Sequence, residues 1–243
     1  VSIKSNKRES HLEERGGNLL FLQALLTEVN LNRHSRILEI GCGTGVLAEY
    51  LGVLTGAEIL GTELSEESAR IANQRISCYH CPTGELPSNI GYFDLIFCKD
   101  VLPTIEDKRW FFKAIRSLLK PQGTFCTYMP NDIDFLTKPL FRFIPGSLSA
   151  SQACYGSIAE TIELLSECGF RQTQTFRISL GTVPMDERYV HKHWDGYFSN
   201  SDLPEMSEGR IHGLNTLLGK LKILLDFGIL AHYKWERTML VAR

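Results

Sequence analysis

Glu39 stands two residues ahead of Gly41, Gly43 and Gly45, three glycines on alternate positions that follow the apolar run Ile37-Leu38-Glu39-Ile40. Glycine tolerates φ > 0 and, lacking a Cβ, lets a ligand lie close against the main chain. A ligand at this turn also meets the unpaired N–H groups that open the next helix. Further on, the run Glu58-Ile59-Leu60-Gly61-Thr62-Glu63 ends in a second carboxylate. A carboxylate at a strand end can accept from both hydroxyls of a ribose, each charge-assisted bond contributing about 1.5–3 kcal/mol. The chemistry indicated is recognition of a nucleoside. A dinucleotide fits poorly: G-x-G-x-x-G/A needs a small residue where Val46 stands, and the third glycine comes one place early.

These residues must be carried by a parallel α/β sheet. A strand is expected at Arg36–Ile40, a helix from Val46 to Leu54, a strand at Glu58–Glu63, and a helix opened by Ser65 as N-cap with Glu66 and Glu67 in its first turn. Strands at Ile76–His80, Phe93–Lys99 and Thr124–Met129 follow, with a helix from about Asp107 to Leu119 and a turn at Pro121-Gln122-Gly123. Ahead of them all, the run from Asn18 to Leu26 reads as a helix apolar nearly all round and hence buried. Ligands in open α/β sheets bind outside the carboxyl ends of the strands, where Gly41, Glu63, Thr83 and Lys99 would converge. After Pro130 the rhythm breaks. Residues 130–156 and 184–230 read as two insertions, separated by a helix at Ser157–Cys168 ending on Gly169 and a strand at Arg171–Ser179, and His232–Val241 reads as the last strand.

A chain of 243 residues with 43% hydrophobic content suits one α/β domain over 1–243, with 35–130 as the ligand-binding core. Net charge −2 and a pI near 6.4 give no basic surface for a phosphate backbone, so no nucleic-acid partner is expected. The seven cysteines are scattered. Cys78-x-x-Cys81 has no second Cys or His pair at zinc spacing, so no metal is expected, and Cys42, Cys98 and Cys126 read as small core side chains. Reduced thiols, a polar leader and the lack of a long apolar run point to a cytoplasmic protein without a membrane partner.

The pattern Glu-x-Gly-x-Gly-x-Gly, the acid Glu63, Phe93-Asp94-Leu95-Ile96-Phe97 and Leu118-Leu119-Lys120-Pro121-Gln122-Gly123 together resemble the class I S-adenosylmethionine-dependent methyltransferases, in that family's order and spacing. The resemblance implies a Rossmann-like, doubly wound seven-stranded sheet of order 3-2-1-4-5-7-6, with one antiparallel C-terminal strand and helical insertions over the active site. It implies S-adenosylmethionine as cofactor and S-adenosylhomocysteine as product. Gly41, Cys42, Gly43 and Gly45 would pack on the methionyl and ribose parts, and Glu63 with Leu64 would flank the ribose. Glu39 would reach the ammonium, directly or through water; its other reading is a carboxylate that caps the next helix. Residues 1–17 would fold over the cofactor as an N-terminal lid, from which Arg15 could pair the cofactor's carboxylate, and Lys99 and Asp100 would touch the cofactor after the fourth strand. The adenine contact departs from the family, because Pro82 occupies the position of an Asp that bonds the adenine amino group; it would fall to the Thr83 and Gly84 backbone or to Glu85.

The loop Cys98-Lys99-Asp100-Val101-Leu102-Pro103 lacks the Asn-Pro-Pro-Tyr clamp that resembling enzymes use on nucleic-acid amines. A small-molecule methyl acceptor, attacked at nitrogen or oxygen and serving biosynthesis in secondary metabolism, is therefore expected. A non-methylating reaction on the sulfonium, such as cyclisation, and a nucleic-acid or protein acceptor are the alternatives. Methyl transfer mainly needs alignment, which can supply about 7–11 kcal/mol. Where the acceptor must lose a proton, His191 or His193 could serve as base; two apart, they cannot both face one site from a helix. Asp132 is a third catalytic candidate. Glu14, Tyr128, Asn131, Tyr155, Trp194 and Tyr197 are the candidate substrate contacts, although aromatic residues in such segments also serve as plain packing.

Overall fold

In a computed structural model, residues 17–81, 86, 90–130, 153, 155–184, 216, 219–223, 226, 227 and 232–243 are described. A helix over residues 17–28 (α1) leads into β1 (Arg36–Ile40), α2 (Val46–Thr55), β2 (Glu58–Glu63), α3 (Glu66–Ala72), β3 (Ser77–His80) and β4 (Phe93–Lys99). A 3₁₀ turn (Leu102–Thr104), α4 (Lys108–Leu118), β5 (Leu119–Met129), α5 (Ile158–Glu167), β6 (Thr173–Pro184) and β7 (His232–Ala242) follow. The strands form one sheet of order β3-β2-β1-β4-β5-β7-β6. β1 pairs parallel with β2 and β4, β2 with β3, and β4 with β5, while β7 lies antiparallel to β5. This is the Rossmann-like doubly wound sheet with its reversed C-terminal strand.

Chain contacts group the protein into two compact units. One comprises Val1–Met129, Ile158–Ile178 and Thr238–Arg243; the other comprises Pro130–Ser157 and Ser179–Arg237. In the first, β1 and β4 are buried on both faces, which is why they read as continuous apolar runs. Phe21 of α1 packs on Phe97 and edge-on to Tyr128, with ring centroids 6.0 and 5.2 Å apart. Phe112 of α4 meets Phe125 at 5.8 Å. In the second unit, Leu221 is buried on a short helical stretch whose neighbours Lys220 and Lys222 are exposed.

Local chemistry sets the element ends. Ser65 caps α3 by accepting from the Ser68 N–H at 3.2 Å, and Asp107 caps α4 by accepting from Trp110 N–H at 2.8 Å. Gly169 at φ 92° ends α5 in a Schellman pair, Gly169 N–H to Ser166 O and Phe170 N–H to Leu165 O.

Four expectations need correction. β5 starts at Leu119, not Thr124: Leu119 pairs with Phe93 before the ladder resumes at Leu95↔Thr124, so Pro121-Gln122-Gly123 is a bulge inside a strand. β6 starts at Thr173 and runs to Pro184, because Arg171 and Gln172 N–H are taken by the Arg243 carbonyl instead of a neighbouring strand. β3 starts one residue late, at Ser77, since Ile76 N–H still bonds to Ala72 O at the end of α3. α1 is not buried all round: Phe21, Leu22 and Leu25 face the sheet, while Leu19 is 58% exposed.

Candidate active site

The site-bearing residues sit at the carboxyl ends of β1, β2 and β4, all in the first unit. Gly41, Gly43 and Gly45 all have positive φ, of 70°, 57° and 77°. Their surroundings differ. A Cβ on Gly41 would lie 2.5 Å from Val101 Cγ2, and one on Gly45 3.2 Å from Ala72 Cα, so these two glycines let the protein pack against itself. At Gly43 a Cβ would meet nothing within 4 Å. Of the three, Gly43 is the one with open space in which a ligand could lie.

The Gly43 N–H donates to Glu63 Oε2 at 2.8 Å, and the Ser65 N–H donates to Oε1 at 3.0 Å. Each carboxylate oxygen is thereby fixed by one backbone donor and keeps capacity for another. Leu64, beside it, is exposed, and its carbonyl lies 2.8 Å from His80 Nε2.

Glu39 is 3% exposed. The Ala48 N–H, in the first turn of α2, donates to its carboxylate, so the helix-capping reading of Glu39 describes part of what it does. Its Oε2 is buried and has no hydrogen-bond partner. Burial pushes the carboxyl up to about 8; the Lys99 charge and the Ala48 bond oppose the rise, and the Glu63 charge adds to it. An orphaned buried carboxylate oxygen costs free energy unless something pairs with it.

Lys99 Nζ lies 3.2 Å from Asp100 Oδ2 and 5.5 Å from the centroid of Tyr128. Asp100 is the one non-glycine residue with positive φ among the described residues, at 57°, and its N–H bonds to Tyr128 O at 3.2 Å. Such a conformation is uncommon outside glycine and marks a backbone held by its surroundings.

Glu39, Gly41, Cys42, Gly43, Gly45, Glu63, Leu64, Lys99 and Asp100 therefore lie on adjacent strand ends. Tyr128 is 2% exposed, its ring taken up by Phe21 and Lys99. Tyr155 lies in the second unit, half-buried. Glu14, Arg15, Thr83, Gly84, Glu85, Asn131, Asp132, His191, His193, Trp194 and Tyr197 fall outside the described residues. Sequence reasoning missed Val101, whose methyl makes glycine necessary at 41, and the second role of Ser65. The positive φ at Asp100 had only a weak signal in the sequence, the enrichment of aspartate among non-glycine residues in the left-handed region.

Residues 38–127 match the model of a methyltransferase domain. This core, residues 38–127, is a methyltransferase domain. The chain is 23% identical over 214 residues to the phosphoethanolamine N-methyltransferase of Plasmodium falciparum, covering 79% of this chain and 77% of that one. It is 31% identical over 111 residues to the ubiquinone biosynthesis O-methyltransferase of Bordetella avium, covering 42% of this chain and 46% of that protein. A Haemonchus contortus phosphoethanolamine N-methyltransferase 2, solved with phosphomonomethylethanolamine and S-adenosylhomocysteine, superposes with a TM-score of 0.55 at 18% identity over 91% of this chain and 51% of that chain. The chain thus spans about half the length of the latter two relatives. No helix among its described residues is long and apolar enough to cross a membrane.

Proposed function

We propose that the protein transfers a methyl group from S-adenosylmethionine to a nitrogen or oxygen of a small biosynthetic intermediate, with the cofactor seated on the carboxyl ends of β1 and β2. The observation that carries this reading is the pairing of Glu63, whose two oxygens are each fixed by a backbone N–H, with the unpartnered buried oxygen of Glu39 beside the open face of Gly43. The fit is chemical. Glu63 presents one free acceptor site on each oxygen, as a ribose diol requires, and Glu39 Oε2 presents a single buried carboxyl oxygen whose ionised form an ammonium would favour.

When bound, the cofactor supplies an electrophilic methyl on a sulfonium sulfur. The chain's share is alignment. Glu63 and the Gly43 backbone hold the ribose side, Glu39 holds the amino-acid side, and the Lys99–Asp100 turn walls the space beyond β4. Gly41, Cys42 and Gly45 shape the loop, and Leu64 covers the nucleoside. The relatives' named acceptors, an amine and a quinone precursor, support a small acceptor, as does the loop after β4, where Lys99-Asp100-Val101 stands in place of a nucleobase clamp. Arg15, Thr83, Gly84 and Glu85 complete the proposed cofactor contacts. Asp132, His191 and His193 remain the proposed bases, and Glu14, Tyr128, Asn131, Tyr155, Trp194 and Tyr197 the proposed acceptor contacts.

The test is incubation with methyl-labelled S-adenosylmethionine and a panel of primary amines, amino alcohols, phosphorylated amino alcohols and phenols, read by mass spectrometry. Label on one acceptor class, with stoichiometric S-adenosylhomocysteine, is the expected result. Cofactor breakdown without label transfer, or label on tRNA or protein alone, would overturn the reading.

A further inference from the structure

Cys42, in the glycine loop, and Cys78, on β3, bring their sulfurs to 3.4 Å, and both are free thiols. Gly61 makes this meeting possible. It pairs with Cys78 across β2–β3 and with Glu39 across β1–β2, and a Cβ there would strike Cys42 Sγ at 2.7 Å. The position of the pair matters as well: Cys42 immediately precedes Gly43, whose N–H holds Glu63. Cys78 lies on the edge strand, half-buried, with its backbone anchored at both polar atoms by the Asn73 amide at 3.0 and 2.9 Å.

We infer that Cys42 and Cys78 form a reversible thiol–disulfide site through which an oxidant of the hydroperoxide class weakens the grip of the glycine loop on its nucleoside. The more accessible Cys78 reacts first. Its thiolate sulfur attacks a peroxide oxygen and the O–O bond breaks. The departing hydroxide takes a proton to become water, leaving Cys78 as a sulfenic acid. The Cys42 sulfur then attacks the Cys78 sulfur; the S–S bond forms, the S–O bond breaks, and the hydroxyl leaves as water with the Cys42 proton. With hydrogen peroxide, two thiols and one peroxide give one disulfide and two waters, the two electrons passing from sulfur to oxygen; an alkyl hydroperoxide leaves one water and its alcohol. Burial raises both thiols above their ordinary range, and the Cys42 S–H counteracts this at Cys78 by favouring its thiolate, so that Cys78 leads.

Closing the 3.4 Å gap to a disulfide length of about 2.05 Å draws the loop towards the anchored β3. The Gly43 N–H then leaves the position from which it orients Glu63. Loss of one charge-assisted bond corresponds to roughly tenfold weaker binding.

The affinity arm rests on the proposed seat of the cofactor, whereas the covalent arm does not. The purified protein is treated with hydrogen peroxide and digested without reduction for peptide mapping. S-adenosylhomocysteine is titrated before oxidation, after it and after re-reduction with dithiothreitol. A Cys42–Cys78 linked peptide, about tenfold weaker binding, recovery on reduction and insensitivity of Cys78→Ser are expected. A Cys78–Cys81 link, or oxidised surface thiols with no Cys42–Cys78 link, would overturn the proposal, as would a complete link with unchanged or tighter binding. Failure of the untreated protein to bind would instead count against the cofactor seat, while the peptide map would still decide the disulfide.

Discussion

The two ends of the sheet handle charge in opposite ways. At the amino ends of β1 and β4 the charges of Arg36, Glu58, Asp94 and Lys120 answer one another. The Arg36 guanidinium takes both oxygens of Glu58 at 3.1 and 3.2 Å and the carbonyls of Tyr92 and Ile90. Asp94 accepts from the Arg36 N–H at 2.8 Å and from Lys120 Nζ at 2.7 Å. A cleft does open there, lined by Glu28, Val29, Asp94, Lys120, Thr124 and Arg243 among others, but its Asp94, Lys120 and Arg243 side chains are already engaged. At the carboxyl ends Glu39 keeps a buried oxygen unpaired, Asp100 sits at positive φ and Gly43 faces open space. A cavity by itself is thus a poor guide to the site. Incomplete hydrogen bonding held in place by a rigid frame is a better one.

The largest break in this contrast comes from Glu63→Ala. Removing an acceptor of two charge-assisted bonds should weaken S-adenosylhomocysteine binding by at least about a hundredfold in calorimetric titration. Binding within a few-fold of wild type would reassign the ribose contact.

Glu39→Gln sharpens the contrast through pH. In the free protein the Glu39 carboxyl is raised to about 8 from an ordinary 4.5. Between those values the folded state holds a proton that the unfolded state releases, so this group's contribution makes stability fall as pH rises. A ligand ammonium favours the ionised carboxylate, so affinity should climb from pH 6 towards 8. The glutamine variant should bind about tenfold more weakly at pH 8, with a flat profile over the same window. Parallel pH profiles for the two proteins would remove Glu39 from the ammonium site.

The glycines split next. Gly45→Ala, with a Cβ 3.2 Å from Ala72 Cα, should cost about 2 kcal/mol in denaturant unfolding through contact and left-handed strain. Gly43→Ala should cost only about 1 kcal/mol from strain but lose more affinity, because its methyl projects into the open space. Equal losses of both kinds in the two variants would erase the distinction.

At the other end, Asp94→Asn should have the smallest effect. Burial pushes the Asp94 carboxyl up, but Lys120 and the Arg36 N–H outweigh it and hold it below its ordinary value. Its contribution is therefore present at neutral pH and lost on acidification. For a pair this exposed the loss in Asp94→Asn should be about 1 kcal/mol at pH 7, vanishing at low pH, with S-adenosylhomocysteine affinity unchanged.

The sequence by itself determined the parallel sheet, its ligand end and the two carboxylates. Those features depend on local periodicity, on glycine spacing and on strand ends, all of which are written along the chain. The bulge at Pro121-Gln122-Gly123 was half legible: its turn residues were visible, but not that Leu119 pairs with Phe93 ahead of them. Only the tertiary structure decided the separate tasks of the three glycines, since Val101, Ala72 and Ile76 arrive from other elements. It alone placed Cys42 on Cys78, whereas the chain offered Cys81 as the nearer partner. It alone left one oxygen of Glu39 paired with α2 and the other without a partner. Residue types set which bonds a group is able to make. Burial and the approach of distant backbone decide which of them remain unmade, and here those lie at the carboxyl ends of β1 and β2.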